Sequence, residues 1–285
     1  AALKSIAEVL STPPIAEPAD PVPARGGALE VRNLVFSYGD GPRVLDGMSA
    51  TFEPGTLTAL VGSSGSGKST VARLLARFHD PVEGSVLLGG DDLRDIAVRD
   101  VHRSVSVVFQ DPQLFTLPLR ENIRLARRDA TDDEIMAAAK LANLDTVIAA
   151  LPKGLDSVVN VDVTFSGGEA QRVAIARSIV TDAPVLIFDE ATAYADPASE
   201  ALIQSAIERL ARSRTVIVIA HRLSTIRNAD RILVLDGGAV AEAGTHDELL
   251  ARGGRYRDLW RAFVLDDEPS APRGTESDDE KAANR

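Results

Sequence analysis

Apolar and polar residues alternate over Leu29 to Tyr38 and again over Met48 to Phe52, which predicts two half-buried strands. Gly39-Asp40-Gly41-Pro42 reads as the turn between them. Leu57 to Val61 is a short apolar run of strand length, and Val71 to Phe78 carries helical spacing. Ser85 to Leu88 and Val105 to Phe109 follow as further strands. From Asp111 to about Asp182 the pattern turns helical and Ala-rich, with Asp132 to Asn143 the clearest helix. Three strongly apolar runs come next: Val185 to Phe188, Thr215 to Ala220 and Arg231 to Leu235. Helical stretches separate the first two, the order expected of a parallel α/β sheet. Ala239 to Ala243 reads as an added edge strand and His246 to Phe263 as a closing helix.

The two ends differ from this middle. Ala2 to Leu10 is a short helical stretch. Ser11 to Arg25 holds Pro13, Pro14, Pro18, Pro21 and Pro23 without an apolar period, so it reads as an extended linker. The folded unit is expected to begin near Gly27 and to run to residue 264. Leu265 to Arg285 gathers acids among Pro, Ser, Gly and Ala and reads as a solvated, disordered tail.

Composition narrows the function classes. The chain has 285 residues, 45% of them hydrophobic, enough for one large or two-lobed domain. Its net charge of -11 does not favour nucleic acid as a partner. The lack of cysteine fits a reducing compartment. No apolar run approaches the ~18–20 residues of a membrane span, and no signal peptide is visible. The first residue is Ala1 rather than methionine, as expected of a piece excised from a longer chain.

Residues 62 to 70 read Gly62-Ser63-Ser64-Gly65-Ser66-Gly67-Lys68-Ser69-Thr70, between the Leu57 strand and the Val71 helix. A flexible Gly/Ser turn would look the same by composition alone. In strand–loop–helix context the glycines let successive N–H groups turn inward at the positive end of a helix and cradle phosphate oxygens. Lys68 would reach the β- and γ-phosphates, and the Ser69 hydroxyl would ligate Mg²⁺. A simple strand–helix–strand crossover takes ~30 residues, yet about 120 residues separate Lys68 from Asp189. The Ala-rich helical block is the candidate insertion.

The apolar run Val185 to Phe188 ends in Asp189-Glu190, where ligands of open α/β sheets bind. Alone, that pair is a strand meeting solvent. Beside Lys68 it suits Asp189 to hold Mg²⁺ through water and Glu190 to polarise the attacking water. Ser166-Gly167-Gly168-Glu169 precedes a helix running to about Val180, and Ser166 with Glu169 has the spacing of a capping box. The two glycines also form a second phosphate cradle, which makes sense if it serves the ATP of a partner chain.

With these motifs in place the chain resembles the nucleotide-binding domain of an ATP-binding cassette transporter, over residues 28 to 264. Phe165-Ser-Gly-Gly-Glu-Ala-Gln-Arg172 resembles the family signature Leu-Ser-Gly-Gly-Gln, with Phe165 and Glu169 as departures. The resemblance implies a RecA-like P-loop NTPase core with an antiparallel β flank and an inserted α-helical subdomain over about residues 111 to 182. It also assigns roles that residue type alone leaves to packing or strand termini. Tyr38 would stack on adenine. Gln110 would contact Mg²⁺ and the lytic water, and His221 the γ-phosphate. Asp196 would signal between paired sites. The implied partners are a second cassette and transmembrane domains, at the cytoplasmic face of the membrane.

Gln110-Asp-Pro-Gln-Leu-Phe115, Arg120-Glu-Asn-Ile123 and Gly244-Thr-His-Asp-Glu-Leu249 resemble exporter-type cassettes. Ala193-Tyr-Ala-Asp196 is closer to heterodimeric siderophore transporters, which import with an exporter fold. Exporters usually carry Gly-Glu-x-Gly before the signature; Val159-Asn-Val-Asp-Val163 stands there instead, which puts coupling to the membrane domains in question. Two other classes stay open: a regulatory cassette with little turnover, and a soluble cassette acting in DNA repair or translation. Intact Glu190 and His221 oppose the first. The net acidity opposes the second.

Overall fold

In a computed structural model the chain is described over residues 14–189, 196–220 and 222–267, with side chains through residue 264. The Ala2–Leu10 stretch, Glu190, His221 and residues 268–285 lie outside the described residues.

The apolar runs of the sequence are continuous because their strands are covered on both faces. In β3 (Leu57–Gly62), β7 (Val185–Asp189), β8 (Thr215–Ile219) and β9 (Arg231–Asp236), successive side chains enter two different cores. Leu57, Ala59, Val61, Leu186, Phe188, Val216 and Val218 face one core. Leu60, Val185, Ile187, Ile217, Ile219, Leu233 and Leu235 face the other. These strands sit in a six-stranded sheet of order β10-β9-β3-β8-β7-β6, in which β6 is Val105–Val108 and β10 is Ala239–Gly244. β10 is antiparallel to β9; the other pairings are parallel.

The second core is closed by a four-stranded antiparallel sheet of order β2-β1-β4-β5. It comprises β1 (Leu29–Ser37), β2 (Arg43–Phe52), β4 (Glu83–Leu88) and β5 (Asp91–Asp92). Helix α1 (Lys68–Leu75) shares that core through Val71, Ala72, Leu74 and Leu75. α2 is Val98–Ser104. The inserted block holds α3 (Leu119–Ile123), α4 (Asp132–Leu141), α5 (Asp145–Ala150) and α6 (Gly167–Val180). Ile123, Ile135, Ala139 and Ile148 pack into the first core with Val173 and Ile175 of α6, so the insert is rooted on the main sheet. The remaining helices are α7 (Pro197–Ala211), α8 (Leu223–Arg227), α9 (His246–Arg252) and α10 (Arg255–Asp267).

Three elements depart from the sequence pattern. β2 begins at Arg43 rather than Met48, because its pairing with β1 slips register between Leu34, Val35 and their partners and so breaks the alternation. The closing helix is two helices. Gly253 ends α9 at a φ of 72°, where a side chain would be strained. α10 then restarts under Glu242 of β10, whose carboxylate accepts from Arg255 N at 2.7 Å and Tyr256 N at 3.2 Å. Finally, the proline-rich segment is docked on the core upstream of Gly27. Val22 N donates to Asp95 O (2.9 Å), and Glu17 Oε2 accepts from Val98 N (3.1 Å).

Arg77 holds that segment. It is only 2% exposed and donates to Asp80 Oδ1 (3.1 Å), Ile96 O (2.7 Å) and Ala16 O (2.9 Å). Val22 and Ala24 pack partly against the second core, and this buried cation adds a polar tie to the proline-rich stretch. Arg77→Met keeps the stem but leaves buried carbonyls without a donor. It is expected to destabilise the fold by about 2–4 kcal/mol, read as a lower urea midpoint. An unchanged midpoint would contradict the anchoring role.

Candidate functional site

β3 runs out at Gly62 and the chain turns tightly into α1. A Cβ on Gly62 would lie 2.4 Å from Leu235 O and 2.6 Å from Ser66 Oγ, so only glycine lets the loop lie against β9. Gly67 caps α1 at a φ of 100°, with Val44 and Leu45 of β2 against it. The first N–H groups of a helix have no intrahelical acceptor, and here they open into a cavity of about 350 Å³. Val44, Ser64, Gly65, Gly67, Lys68, Ser69 and Thr70 line it. Lys68 is buried, and its Nζ donates to Gly62 O (2.9 Å) and Ser63 O (3.0 Å), which folds the ammonium over the loop. Ser66 Oγ is buried and has no hydrogen-bond partner among the described residues.

The other half of the site arrives from the end of β7. Ser69 Oγ donates to Asp189 Oδ1 at 3.3 Å, joining residues 120 positions apart. Among the described residues no cluster of three or more His, Cys, Asp or Glu could hold a metal by itself. A hydroxyl beside a single carboxylate at the mouth of a phosphate cradle fits Mg²⁺, which binds through few protein ligands plus substrate phosphates and water.

Tyr38 is also brought to this helix. Its hydroxyl lies 3.2 Å from Thr70 Oγ1 and accepts from Arg73 Nη1 at 3.1 Å. The rings of Phe36 and His79 stand nearly perpendicular to it, with centroids at 4.9 and 5.5 Å. Gln110 is exposed, two residues beyond the end of β6. Its loop is braced from α6. Gln171 Nε2 donates to Phe109 O (3.3 Å), while Arg177 donates to Gln113 O (3.1 Å) and Asn122 O (2.8 Å). Burial holds the Arg177 guanidinium below its ordinary pKa.

Ser166 and Gly167 are exposed at the start of α6, and the capping box formed by Ser166 and Glu169 is complete. Neither they nor Gly168 line the phosphate-loop cavity. Asp196 caps α7, accepting from Ala198 N (3.0 Å) and Ser199 N (3.1 Å); the bonds from Ser199 hold its carboxyl below the usual range. Thus Ser69 joins Asp189 beside Lys68, and Tyr38 meets the same helix through Thr70, whereas Ser166, Gly167, Gly168 and Asp196 are not among the residues lining the cavity. Val44 and Arg73 escaped the sequence reading. Val44 sits in a strand whose start was misplaced, and Arg73 gave no signal beyond a basic residue on an exposed helix face.

A strand–cradle–helix facing a carboxylate at the end of a parallel strand defines a P-loop nucleoside triphosphatase. The family model described as ABC transporter matches residues 45–193, just over half of the chain. The chain belongs to that family, and its fold is that of the ABC ATPase domain, exporter type. It is 53% identical over 237 residues to the mycobactin import ATP-binding/permease protein IrtA of Mycolicibacterium thermoresistibile, covering 83% of this chain and 26% of that protein. Against the ATP-dependent lipid A-core flippase of Burkholderia pseudomallei the identity is 46%, covering 85% and 41%. A bacterial Atm1-family ABC exporter with ATP bound superposes with a TM-score of 0.84 at 40% identity, over 95% of this chain and 47% of that one. The chain therefore spans between a quarter and a half of these relatives. No helix among the described residues is long and apolar enough to cross a membrane.

Gly62→Ala tests the cradle. The added methyl must push the loop off the Leu235 carbonyl, so the thermal stabilisation given by Mg-ATP is expected to vanish while the protein stays folded. A full ligand-induced shift in melting temperature would show that the loop tolerates a side chain.

Proposed function

We propose that this chain is the ATP-hydrolysing half of a transporter motor. It would bind Mg-ATP in the phosphate-loop cavity and pair with a second cassette. At the cytoplasmic face of the membrane it would drive transmembrane domains that move a small molecule such as a siderophore. The observation that carries the reading is the approach of Ser69 to Asp189, which would offer Mg-ATP a hydroxyl and a carboxylate from the two sides of the insert.

The proposed chemistry is in-line attack of water on the γ-phosphate. Bound Mg²⁺ would draw charge from the phosphate oxygens. Lys68 offsets the charge that develops, and Gln110, Glu190 and His221 orient the water. Glu190 follows directly on the end of β7, and His221 follows Ala220 just past β8. Both strands end at the edge of the sheet that carries the phosphate loop.

Ser166, Gly167 and Gly168 do not line the cavity of their own chain and would instead meet the ATP of the partner cassette, with Asp196 signalling across the junction. The closed dimer would be the ATP-bound state and the open one the product state, a population shift driven by the nucleotide. Support for a siderophore comes from the Ala193-Tyr-Ala-Asp196 sequence and from the similarity to the mycobactin import protein IrtA. The Val159–Val163 segment, a tight turn in which Asn160 N donates to Val163 O at 2.7 Å, replaces the residues through which exporters usually touch the opposite membrane half.

Glu190→Gln is expected to keep ATP binding and to lower turnover at least about a hundredfold, because an amide cannot take the water's proton. In that background sedimentation with ATP should show a dimer that Ser166→Ala abolishes without weakening monomer binding. Turnover near that of the wild type would remove Glu190 from the reaction. Loss of monomer binding in Ser166→Ala would mean that the signature serves its own chain's nucleotide.

A further inference from the structure

Tyr38 stands on the β1–β2 connection, where nothing in the local sequence fixes the direction of its ring. Four groups fix it in the fold. Phe36 and His79 stand at 88° and 89° to the ring, and neither lies flat on it. At the far end the phenol oxygen sits between Arg73 Nη1 at 3.1 Å and Thr70 Oγ1 at 3.2 Å. A guanidinium can only donate. The phenol therefore accepts from Arg73, while in the second contact either the phenol or the Thr70 hydroxyl can be the donor. Both partners are on α1, the helix whose start forms the phosphate cradle, and Thr70 is itself part of the cavity lining.

We propose that Arg73 is a positioning residue for the nucleoside: by donating to the Tyr38 hydroxyl it holds that ring in register with the phosphate cradle, so base and triphosphate are gripped as one rigid unit. This rests on the reading that Tyr38 stacks on the adenine of ATP. Tyr38 remains 40% exposed and neither neighbouring ring is stacked on it, which leaves room for a planar ligand. Pre-setting the ring removes ordering that would otherwise accompany binding. Arg73 itself is exposed. Its loss therefore leaves no buried cavity, and the variant is expected to fold.

The experiment measures the affinity of Mg-ATP and of Mg-tripolyphosphate, which carries the same phosphates without a nucleoside, by calorimetry. Arg73→Ala should weaken ATP about three- to tenfold, the size of one lost hydrogen bond, and leave tripolyphosphate unchanged. Tyr38→Phe, which also gives up the Thr70 contact, should weaken ATP at least as much, and adding Arg73→Ala to Tyr38→Phe should cost nothing further, since the Arg73 bond is already gone. Equal weakening of tripolyphosphate would make Arg73 a phosphate ligand and overturn the proposal. So would additive losses in the double variant. Tyr38→Ala separates the two levels: if it leaves ATP affinity intact, the stacking reading has failed, and the positioning role fails with it.

Discussion

Ile219, the last residue of β8, pairs with Leu60 on one side and with Asp189 on the other. The site depends on that register. It sets the carboxylate at the end of β7 level with the strand that feeds the phosphate loop, two strand spacings, or about 10 Å, away. The start of α1 then spans the gap with the Ser69 hydroxyl. A slip of one residue in either pairing would turn Asp189 to the opposite face of the sheet. The register is protected because both faces of these strands are buried, and each alternate residue belongs to a different core.

The same economy of connection recurs in the insert. α6 carries the exposed Ser166 segment at its N-terminus, and its Gln171 and Arg177 side chains hold carbonyls on both sides of Gln110. Asn122, fully buried, fastens the same loop through Phe115 N (2.8 Å) and Phe115 O (2.9 Å). One helix thus ties the surface proposed to meet a partner's nucleotide to the loop proposed to sense its own. In a packed core such a link moves as a unit rather than bending.

Much of this was legible in the sequence, and the limits have physical causes. The buried strands announced themselves as apolar runs. The phosphate loop, Asp189 and the Ser166–Glu169 cap are encoded within a few consecutive residues, so local order suffices to find them. What escaped depends on contacts between distant segments. The start of β2 was hidden by a register slip, and with it Val44 as a wall of the cavity. The docking of residues 16–22 was hidden because it rests on Arg77 reaching Ala16 and on isolated apolar residues such as Val22, without an apolar period. Arg73 acquires meaning only once Tyr38, 35 positions earlier, is folded onto its helix. The break at Gly253 shows the opposite case: a local glycine signal was present and was overridden by the continuing helical period of the flanking residues.

Joint completion of a metal–triphosphate site by Ser69 and Asp189 is the step on which the proposed activity depends. It is tested most directly by electron paramagnetic resonance of Mn²⁺ bound with a non-hydrolysable ATP analogue. The wild-type chain should hold the Mn²⁺–nucleotide complex tightly, and Ser69→Ala and Asp189→Asn should each weaken metal retention by about tenfold or more. Mn²⁺ held equally well by all three proteins would contradict the account.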